Sequence, residues 1–504
     1  MDRSRVRSKA VADKVMSAAE AAAFINSGSH VGMSGFTGFG HPKAVPAALV
    51  GRATDAAARG DHFAVSVWTG SSTGPEVDGA LSAVDGIDLR MPYQSDPVSR
   101  AKINDGLLDY LDVHLSHVAQ MVEEGFFGHL DLAVIEVAGV TAEGALIPSS
   151  SLGNNPTWID KADRVIMEVN SWQPTEFEGM HDVYYGMALP PGRKPIPILG
   201  PSDRIGGPYL RCPPEKIIAV VPTHQPDYAT PSRPADRDAR QIAGHVLDFL
   251  THEVGSGRLP PALPPLQSGV GNITDAVLAE LDGWPFPPLA AYTEVIQDGM
   301  LRLLRSGTMT MASATAFSLS EAGIADLHAN ISACREQIIL RPQEISNHPE
   351  VIRRLGCLAM NGMIEADMYG NVNSTHIMGS SMQNGIGGSG DFARNAWVAM
   401  FVSPSTARGG AISCIVPMVS HVDHTEHDVH VIITEQGVAD LRGLPPRRRA
   451  QQVIDHCAHP DFRPALQDYL DRATATGPGK HTPHLLSEAL SWHVRYLGQG
   501  TMQR

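Results

Sequence analysis

The chain has 504 residues, of which 54 are Asp or Glu and 39 are Lys or Arg, so its formal net charge is −15. This length accommodates two large α/β domains, and the sequence contains no apolar run near the ~18 residues that a membrane-spanning helix needs. A surface of this sign repels nucleic-acid phosphates and anionic lipid, so we expect neither nucleic acid nor membrane as a partner.

Cysteine usage and the first residues bear on the compartment. Arg3, Arg5, Arg7 and Lys9 are not followed by an apolar core, so we expect no secretory signal, and early aspartates are atypical of a mitochondrial presequence. The cysteines are scattered and never form a C-x-x-C pair, which argues against a disulfide framework and a thiolate zinc site. We therefore expect a cytoplasmic protein with five reduced thiols, at Cys212, Cys334, Cys357, Cys414 and Cys457.

Short β-branched and apolar runs alternate with glycine-rich turns and longer mixed segments, which is typical of an α/β fold. Residues 222–234 carry four prolines and no periodicity, as expected of a connection, so we place a domain boundary there and predict domains at 1–226 and 227–504. After it, helical spacing in 242–250 leads into a second α/β series. We expect a duplicated plan of open, mainly parallel sheets flanked by helices. The strands predicted in these runs are 63–68, 132–137, 164–169, 217–221, 289–292 and 429–433.

A glycine-bracketed segment, Gly269-Val270-Gly271, precedes an apolar stripe that predicts a helix beginning near Asn272. Free amide groups and the helix dipole at such a start suit a phosphate or an oxyanion. An ordinary tight turn with a good N-cap is the alternative.

Residues 385–390 satisfy the pattern G-x-G-x-x-G. A dinucleotide fold requires an acidic residue about twenty positions later, where this sequence has Arg408 instead. The pattern therefore disfavours NAD and leaves NADP or coenzyme A as ligands whose phosphates an arginine could bind.

Glu294 follows the predicted strand 289–292, at the strand end where open α/β sheets build their sites. The apolar residues around it predict partial shielding from water, which makes a carboxylate a better nucleophile. The alternative is a surface carboxylate that caps the following turn.

Two other patterns resemble catalytic or metal-binding motifs. Gly70 to Gly74 fits the G-x-S-x-G nucleophile elbow around Ser72, but Pro75 makes the helix that must follow doubtful, so a turn near a ligand is the favoured interpretation. His421, His424, His427 and His430 lack the H-E-x-x-H spacing, so we interpret them as solvated loop histidines and expect no metal site.

Together these segments resemble the acetyl-CoA hydrolase/transferase family, the class I CoA-transferases, and within it the succinyl-CoA:acetate branch. The resemblance runs from about residue 15 to 497 and includes Arg353 to Asn373. Four stretches carry it most strongly: 267–272, 292–300, 384–392 and 434–444.

The resemblance implies two α/β domains with the active site between them, and Glu294 as a covalent nucleophile. Its carboxylate would form an acyl-glutamyl anhydride and then a glutamyl-CoA thioester, so CoA would move by ping-pong chemistry between a short-chain acyl-CoA and a carboxylate such as acetate. Coenzyme A is then a substrate, no permanently bound cofactor is expected, and the implied assembly is a homodimer.

The resemblance also implies roles for individual residues. The oxyanion donors would be the amides of Val270 and Gly388, while Asn347, Glu435 and Ser71 would orient groups or line the acyl pocket. Coenzyme A would contact Gly269, Val270, Gly271, Asn272, Ile273, Ile364, Asn384 and Gly388, with Arg408 on its phosphates.

One departure concerns residue 228, where Tyr228 stands in place of an expected arginine and the loop 223–228 has no Lys or Arg. Without that cation we expect a weaker preference for succinyl-CoA over acetyl-CoA or propionyl-CoA. Three alternatives stay open: an acetyl-CoA hydrolase on the same scaffold, a serine hydrolase using Ser72, and a non-catalytic CoA or nucleotide sensor.

Overall fold

The structure is a computed structural model that describes residues 4–231 and 234–503. Arg3 and the first of the early aspartates, Asp2, lie outside the described residues, as do two residues of the predicted 222–234 connection. Among the described helices, none combines the length and the apolar character needed to cross a bilayer.

The strands are short in most of the chain, with the longest at residues 132–140. In chain order they are β1 (His30–Met33), β2 (Val65–Trp68), β3 (Ile87–Met91), β4 (Asp109–Tyr110), β5 (Leu132–Val140), β6 (Leu146–Pro148), β7 (Arg164–Asn170), β8 (Ile217–Thr223), β9 (Leu266–Ser268), β10 (Leu289–Tyr292), β11 (Val295–Gln297), β12 (Met309–Ala314), β13 (Ala316–Ser318), β14 (Ile338–Leu340), β15 (Leu358–Gly362), β16 (Glu365–Asp367), β17 (Val372–Asn373), β18 (His376–Ile377), β19 (Ser381–Met382), β20 (Val398–Val402), β21 (Thr406–Ala407), β22 (Ile412–Ser413), β23 (Ile415–Val416), β24 (Val431–Thr434) and β25 (Gly437–Asp440).

The helices alternate with these strands. In chain order they are α1 (Ala18–Ala22), α2 (Ala44–Ala58), α3 (Asp78–Ala83), α4 (Pro97–Asn104), α5 (Val118–Glu123), α6 (Asn155–Lys161), α7 (Arg237–Gly255), α8 (Asn272–Glu280), α9 (Asp298–Ser306), α10 (Glu321–Gln337), α11 (Gln343–Ser346), α12 (Pro349–Leu355), α13 (Ser389–Asn395), α14 (Pro446–His456), α15 (Arg463–Thr476) and α16 (Ser491–Gln499). Short 3₁₀ turns lie at Ala12–Lys14, Leu115–His117 and Thr175–Phe177.

By internal packing the chain divides into two compact units. The first compact unit comprises Met1–Pro231, Ala290–Leu304 and Met309–Leu355. The second comprises Ser232–Leu289, Arg305–Thr308 and Gly356–Arg504. Glu294 therefore packs with the first unit, although it follows residue 227 in the sequence. The domain boundary between residues 226 and 227 stays a prediction from the sequence.

The first unit is built on a sheet in the order β4-β3-β2-β1-β5-β7-β8, with β6 antiparallel to β5. The other pairings are parallel. Every residue of β5 is buried, which matches its apolar, β-branched sequence and the covering of both faces. Helices cover those faces, with Trp68 and Trp158 in one apolar cluster and Leu49 and Leu81 in the other.

Seven further strands repeat this plan in two runs. One run has the strand order β14-β12-β10, which corresponds to β4-β3-β2 in the first sheet. In it, β12 pairs with β14 in parallel. Within the second unit β9, β15, β20 and β24 are parallel neighbours in the order of β1, β5, β7 and β8, and β25 is antiparallel. The matching order supports the hypothesis of a duplicated architecture.

The predicted strands are all confirmed, with ends shifted by a few residues. The helix predicted near Asn272 is α8, which begins there, and the stripe in 242–250 is part of α7. The α/β class with large, mainly parallel sheets flanked by helices is therefore confirmed.

Candidate active site

Glu294 lies in the two-residue gap between β10 and β11, at the carboxyl end of β10. Its backbone carbonyl accepts a hydrogen bond from the Thr315 amide at 3.0 Å. Tyr292, Thr293 and Val295 are buried, whereas Glu294 itself is partly buried. The residue is thus fixed at its backbone and keeps a side chain that water can reach in part, as predicted for a shielded carboxylate.

The side chain of Asn347 contacts this carboxylate directly. Asn347 Nδ2 donates a hydrogen bond to Glu294 Oε2 at 3.1 Å, and Asn347 is fully buried at the end of α11. An amide donor on a carboxylate oxygen holds that oxygen in one place and stabilises its negative charge. Of the residues predicted by resemblance, Asn347 and Glu294 are brought together in the first unit.

Tyr93 is a neighbour of Glu294 that sequence reasoning missed. It packs on a buried cluster of Phe36, Leu115, Val295 and Ala316. Burial, together with the negative charge of Glu294, raises the pKa of Tyr93, so its hydroxyl stays protonated at neutral pH. The feature of the sequence that could have identified Tyr93 is its position two residues after β3, at the carboxyl end of a strand.

Ser71 and Ser72 lie in the turn after β2 and are both buried. The backbone carbonyl of Ser71 accepts a hydrogen bond from Arg90 Nη2 at 3.0 Å, which fixes the turn. Ser72 Oγ donates to Gln94 Oε1 at 2.9 Å and accepts from the Ser95 amide at 2.8 Å. The next helix, α3, begins only at Asp78, so the Ser72 turn lacks the helix that a nucleophile elbow requires.

The turn 69–74 is linked to α11 through Gly70. A Cβ atom on Gly70 would lie 2.8 Å from a Phe36 ring carbon and 3.1 Å from Gln343 Oε1. Gln343 begins the short helix that ends next to Asn347. Ser71 is therefore adjacent in structure to the element that holds Asn347.

In the second unit, residues 269–271 connect β9 to α8. The Gly269 amide donates to the Met360 carbonyl at 3.0 Å, so it belongs to the sheet, whereas Val270 is 52% exposed. Gly271 has φ of 150°, a backbone conformation that favours glycine, and directly precedes Asn272 and Ile273 of α8. Val270 thus stands exposed at a helix start.

The second glycine segment leads into α13, for which Gly388 is the N-cap residue. Asn384 Nδ2 donates to the Ser374 carbonyl at 3.0 Å, and the Ile364 amide donates to the Asn373 carbonyl at 2.9 Å. Asn384 and Ile364 are therefore both tied to the chain around residues 373–374. Arg408 is exposed in the hairpin between β21 and β22, with φ of 52°.

Glu435 follows β24 and is buried in the second unit. Its carboxylate accepts hydrogen bonds from the Ser405 amide at 2.7 Å, from the Ser405 hydroxyl, and from Gln436 Nε2 at 2.8 Å. Burial opposes ionisation, but these donors outweigh it and lower the pKa of Glu435. Glu435 is thus held as a charged group.

The histidine-rich segment differs from the prediction at one residue. His424 is buried rather than solvated, with its ring 4.7 Å from that of Phe401 and its Nε2 atom 3.2 Å from Ser389 Oγ. The prediction was wrong there because the segment folds back onto β17, where the His424 amide bonds to the Val372 carbonyl. Within residues 4–231 and 234–503, no group of three or more His, Cys, Asp or Glu is arranged to hold a metal ion.

The fold also occurs in solved structures. RipA from Yersinia pestis matches with a TM-score of 0.72 at 24% identity, covering 91% of this chain and 97% of that one. A 4-hydroxybutyrate CoA-transferase from Porphyromonas gingivalis matches with a TM-score of 0.63 at 22% identity, covering 91% and 98%. The chain therefore shares the fold of these two proteins.

The sequence comparisons are more specific. Residues 1–222 match the acetyl-CoA hydrolase/transferase N-terminal domain, and residues 323–470 match the C-terminal domain. The succinyl-CoA:acetate CoA-transferase of Clostridium kluyveri is 48% identical over 99% of this chain and 92% of its own. The propanoyl-CoA:succinate CoA transferase of Escherichia coli is 44% identical over 97% of this chain and 98% of its own. The acetyl-CoA hydrolase of Saccharomyces cerevisiae is 41% identical over 99% of this chain and 97% of its own.

The chain belongs to the acetyl-CoA hydrolase/transferase family. It is accordingly an enzyme of the CoA-transferase class, and its substrates are CoA thioesters.

Proposed function

We propose that this enzyme transfers CoA between a short-chain acyl-CoA and a carboxylate such as acetate, with Glu294 as the covalent nucleophile. The observation that carries the proposal is the partly buried Glu294 carboxylate at a strand end, held by the Asn347 amide. A carboxylate nucleophile suits transfer because the anhydride that it forms retains the free energy of the thioester.

The reaction proceeds in two halves. A Glu294 oxygen attacks the thioester carbonyl carbon, the C–S bond breaks, and the products are an acyl-glutamyl anhydride and CoA thiolate. The thiolate then attacks the glutamyl carbonyl carbon, which releases the first carboxylate and leaves a glutamyl-CoA thioester. The acceptor carboxylate attacks that thioester, and the released thiolate attacks the acceptor's carbonyl carbon in the new anhydride, which regenerates Glu294.

We assign the remaining roles by resemblance. The amides of Val270 and Gly388 donate to the oxyanion that develops at the carbonyl under attack. Arg408 contacts the phosphates of coenzyme A, while Asn347, Glu435 and Ser71 orient the reacting groups. The exposed position of Val270 and of Arg408 supports a role in binding a ligand from solution.

Trapping tests the covalent step. The protein is incubated with acetyl-CoA without acceptor, treated with borohydride or hydroxylamine, and mapped by peptide mass. We expect modification confined to Glu294, and its loss in Glu294→Gln, while the exposed Glu321 in Glu321→Gln serves as a matched control. Turnover of acetyl-CoA with Glu294 unmodified would contradict the proposal.

Hydrolysis is a second candidate function, favoured by the 41% identity to yeast acetyl-CoA hydrolase. In a hydrolase, water rather than a carboxylate intercepts the covalent intermediate, so the outcome depends on how well the site excludes water. CoA release is measured with and without added acetate after removal of contaminating carboxylates. A many-fold rise on adding carboxylate supports transfer, and an unchanged rate supports hydrolysis.

A serine hydrolase using Ser72 predicts a different outcome. Its hydroxyl hydrogen bonds to Gln94 support a structural role for Ser72. A fluorophosphonate probe labels an activated serine and not a glutamate. Labelling of Ser72 together with loss of activity would identify Ser72, and not Glu294, as the nucleophile.

Tyr228 bears on the choice of substrate. The Tyr228 amide donates to the Gly38 carbonyl at 2.9 Å, and its side chain is 43% exposed. A phenol at this position offers no positive charge to a second carboxylate, so we propose short monocarboxylates as substrates. Initial rates of acetate transfer from succinyl-, propionyl- and butyryl-CoA test this, and a strong succinyl-CoA preference would contradict it.

We also propose a homodimer that works in a reducing cytoplasm. All five cysteines lie in the part of the chain that the structure describes; they are buried and none forms a disulfide, which fits such a compartment. Sedimentation equilibrium gives the oligomeric state, and the dimer mass is the expected result.

A further inference from the structure

Hydrogen bonding to an asparagine side chain depends on which end of the amide faces the partner. The nitrogen donates and the oxygen only accepts, although the two ends are nearly identical in shape. Beside Glu294 only the nitrogen is useful, because the amide oxygen would repel a carboxylate. Something must therefore distinguish the two orientations of Asn347.

Ser346 makes that distinction. Its Oγ atom lies 2.8 Å from Asn347 Oδ1 and donates to it, while the Gln343 carbonyl is a longer alternative at 3.3 Å. Both Ser346 and Asn347 are fully buried. With Oδ1 occupied by a hydroxyl donor, Nδ2 is the end that reaches Glu294 Oε2.

We propose that Ser346 is a positioning residue that selects the amide orientation in which Asn347 donates to Glu294. This inference rests on the proposed function, in which Glu294 is the nucleophile. Ser346 acts through Asn347, and its hydroxyl hydrogen bond ends on that amide rather than on the reacting carboxylate.

The segment that carries both residues is held at three further points, so the hydrogen-bonded pair has a defined position. Tyr292 Oη donates to the Ile345 carbonyl at 2.6 Å. Gln343 Nε2 donates to the Leu115 carbonyl at 3.0 Å, and the Gln343 amide to the Gly153 carbonyl at 2.8 Å. The backbone is thereby fixed, and the rotation of the Asn347 amide is left to Ser346.

The same orientation serves every state of the proposed cycle. The glutamyl group alternates between carboxylate, anhydride and thioester, and each presents an oxygen that can accept from Asn347 Nδ2. A flipped amide would present oxygen to oxygen in all of these states. Ser346 therefore supports each covalent step, although it does not itself form or break a bond with the substrate.

Removal of the hydroxyl tests this role. In Ser346→Ala we expect kcat/KM to fall about tenfold, because a hydrogen bond to a charged group is weakened and the flipped amide becomes populated. Loss of a donor disfavours the ionised carboxylate, so the acid limb of the kcat/KM profile should move to higher pH. A purely structural role would lower thermal stability without moving that limb.

Ser99→Ala is the matched control. Ser99 is another fully buried serine of the first unit, whose hydroxyl bonds to Ser82 Oγ at 2.8 Å. We expect its pH profile to coincide with that of the unsubstituted protein. Ser346→Cys, which keeps a weak donor of similar shape, should fall between serine and alanine and also decides the question if Ser346→Ala does not fold.

A double-mutant cycle tests whether Ser346 acts through Asn347. In an Asn347→Ala background, Ser346→Ala should have no further effect on kcat/KM or on the pH profile. Additive losses would overturn the inference, as would an unmoved acid limb in Ser346→Ala. Failure of the proposed function is separate, because it would show as unmodified Glu294 in the trapping experiment on the unsubstituted enzyme.

Discussion

His493 Nε2, on α16, lies 2.7 Å from Glu365 Oε2 in β16, and both side chains are buried within the second unit. Glu365 Oε1 also accepts from Asn373 Nδ2 at 3.0 Å and from the Ser420 amide at 2.7 Å. Burial favours the neutral carboxyl, but these partners outweigh it and lower the pKa of Glu365. The last helix is thereby attached to the strand that follows Ile364.

This attachment predicts acid sensitivity of α16. Because folding lowers the pKa of Glu365, its contribution is present above the usual carboxyl range near 4.5 and is lost as pH falls through the folded value. In His493→Ala we expect a loss of about 2 kcal/mol and faster amide hydrogen exchange across residues 491–499. His481→Ala, at an exposed histidine of the same unit, should leave exchange in α16 unchanged. Equal protection of α16 in both variants would contradict the prediction.

Lys43 makes the first unit sensitive to a single substitution. Its Nζ atom lies 2.5 Å from Glu136 Oε2 and 2.9 Å from Asp227 Oδ1, with all three side chains buried. Lys43→Met leaves two carboxylates without their cation, so we expect a loss of about 3 to 5 kcal/mol in urea unfolding. Lys9→Met, at an exposed lysine, should have little effect.

Partial rescue identifies the cause. In Lys43→Met combined with Glu136→Gln and Asp227→Asn, the uncompensated charges are gone, and part of the lost stability should return. A triple variant less stable than Lys43→Met would show that packing of the lysine stem, and not its charge, dominates.

Gly70→Ala is predicted to disturb the site through α11. The added methyl group meets the Phe36 ring at 2.8 Å, the Gly35 carbonyl at 2.9 Å and Gln343 Oε1 at 3.1 Å. Since Gln343 belongs to the helix that ends beside Asn347, we expect at least about a tenfold loss of kcat and about 1 to 3 kcal/mol of stability. Gly51→Ala, in α2 with open space around it, should be neutral or stabilising by about 0.5 to 1 kcal/mol.

Arg408 is predicted to contribute to acyl-CoA binding and not to the chemical steps in which bonds form and break. In Arg408→Ala the KM for acyl-CoA should rise about tenfold, with a much smaller change in the KM for the carboxylate, because a charged hydrogen bond to phosphate is lost. Arg408→Lys retains the charge and should recover part of the effect. Arg447→Ala, at another exposed arginine of the second unit, should not change either KM; equal effects at both positions would indicate only a general field effect.

Strand positions and the start of α8 could be predicted because they depend on local patterns. The runs at 132–137 and 164–169 are continuous apolar segments, and such segments form strands that are buried on both faces. The strand-end position of Glu294 could be predicted for the same reason, since Glu294 lies two residues after the strand at 289–292. The burial of His424 could not, because it depends on the contact of residue 424 with β17, far away in the sequence.

The sequence by itself determined the α/β class, the family, and the residue types at the proposed site, because periodicity, turn residues and motif order are local properties of the chain. Only the tertiary structure decided which groups meet. Asn347 reaches Glu294 across 53 positions, and Lys43 reaches Asp227 across 184. The orientation of the Asn347 amide by Ser346 belongs to the same category, because the burial that makes it effective arises from packing of the whole first unit.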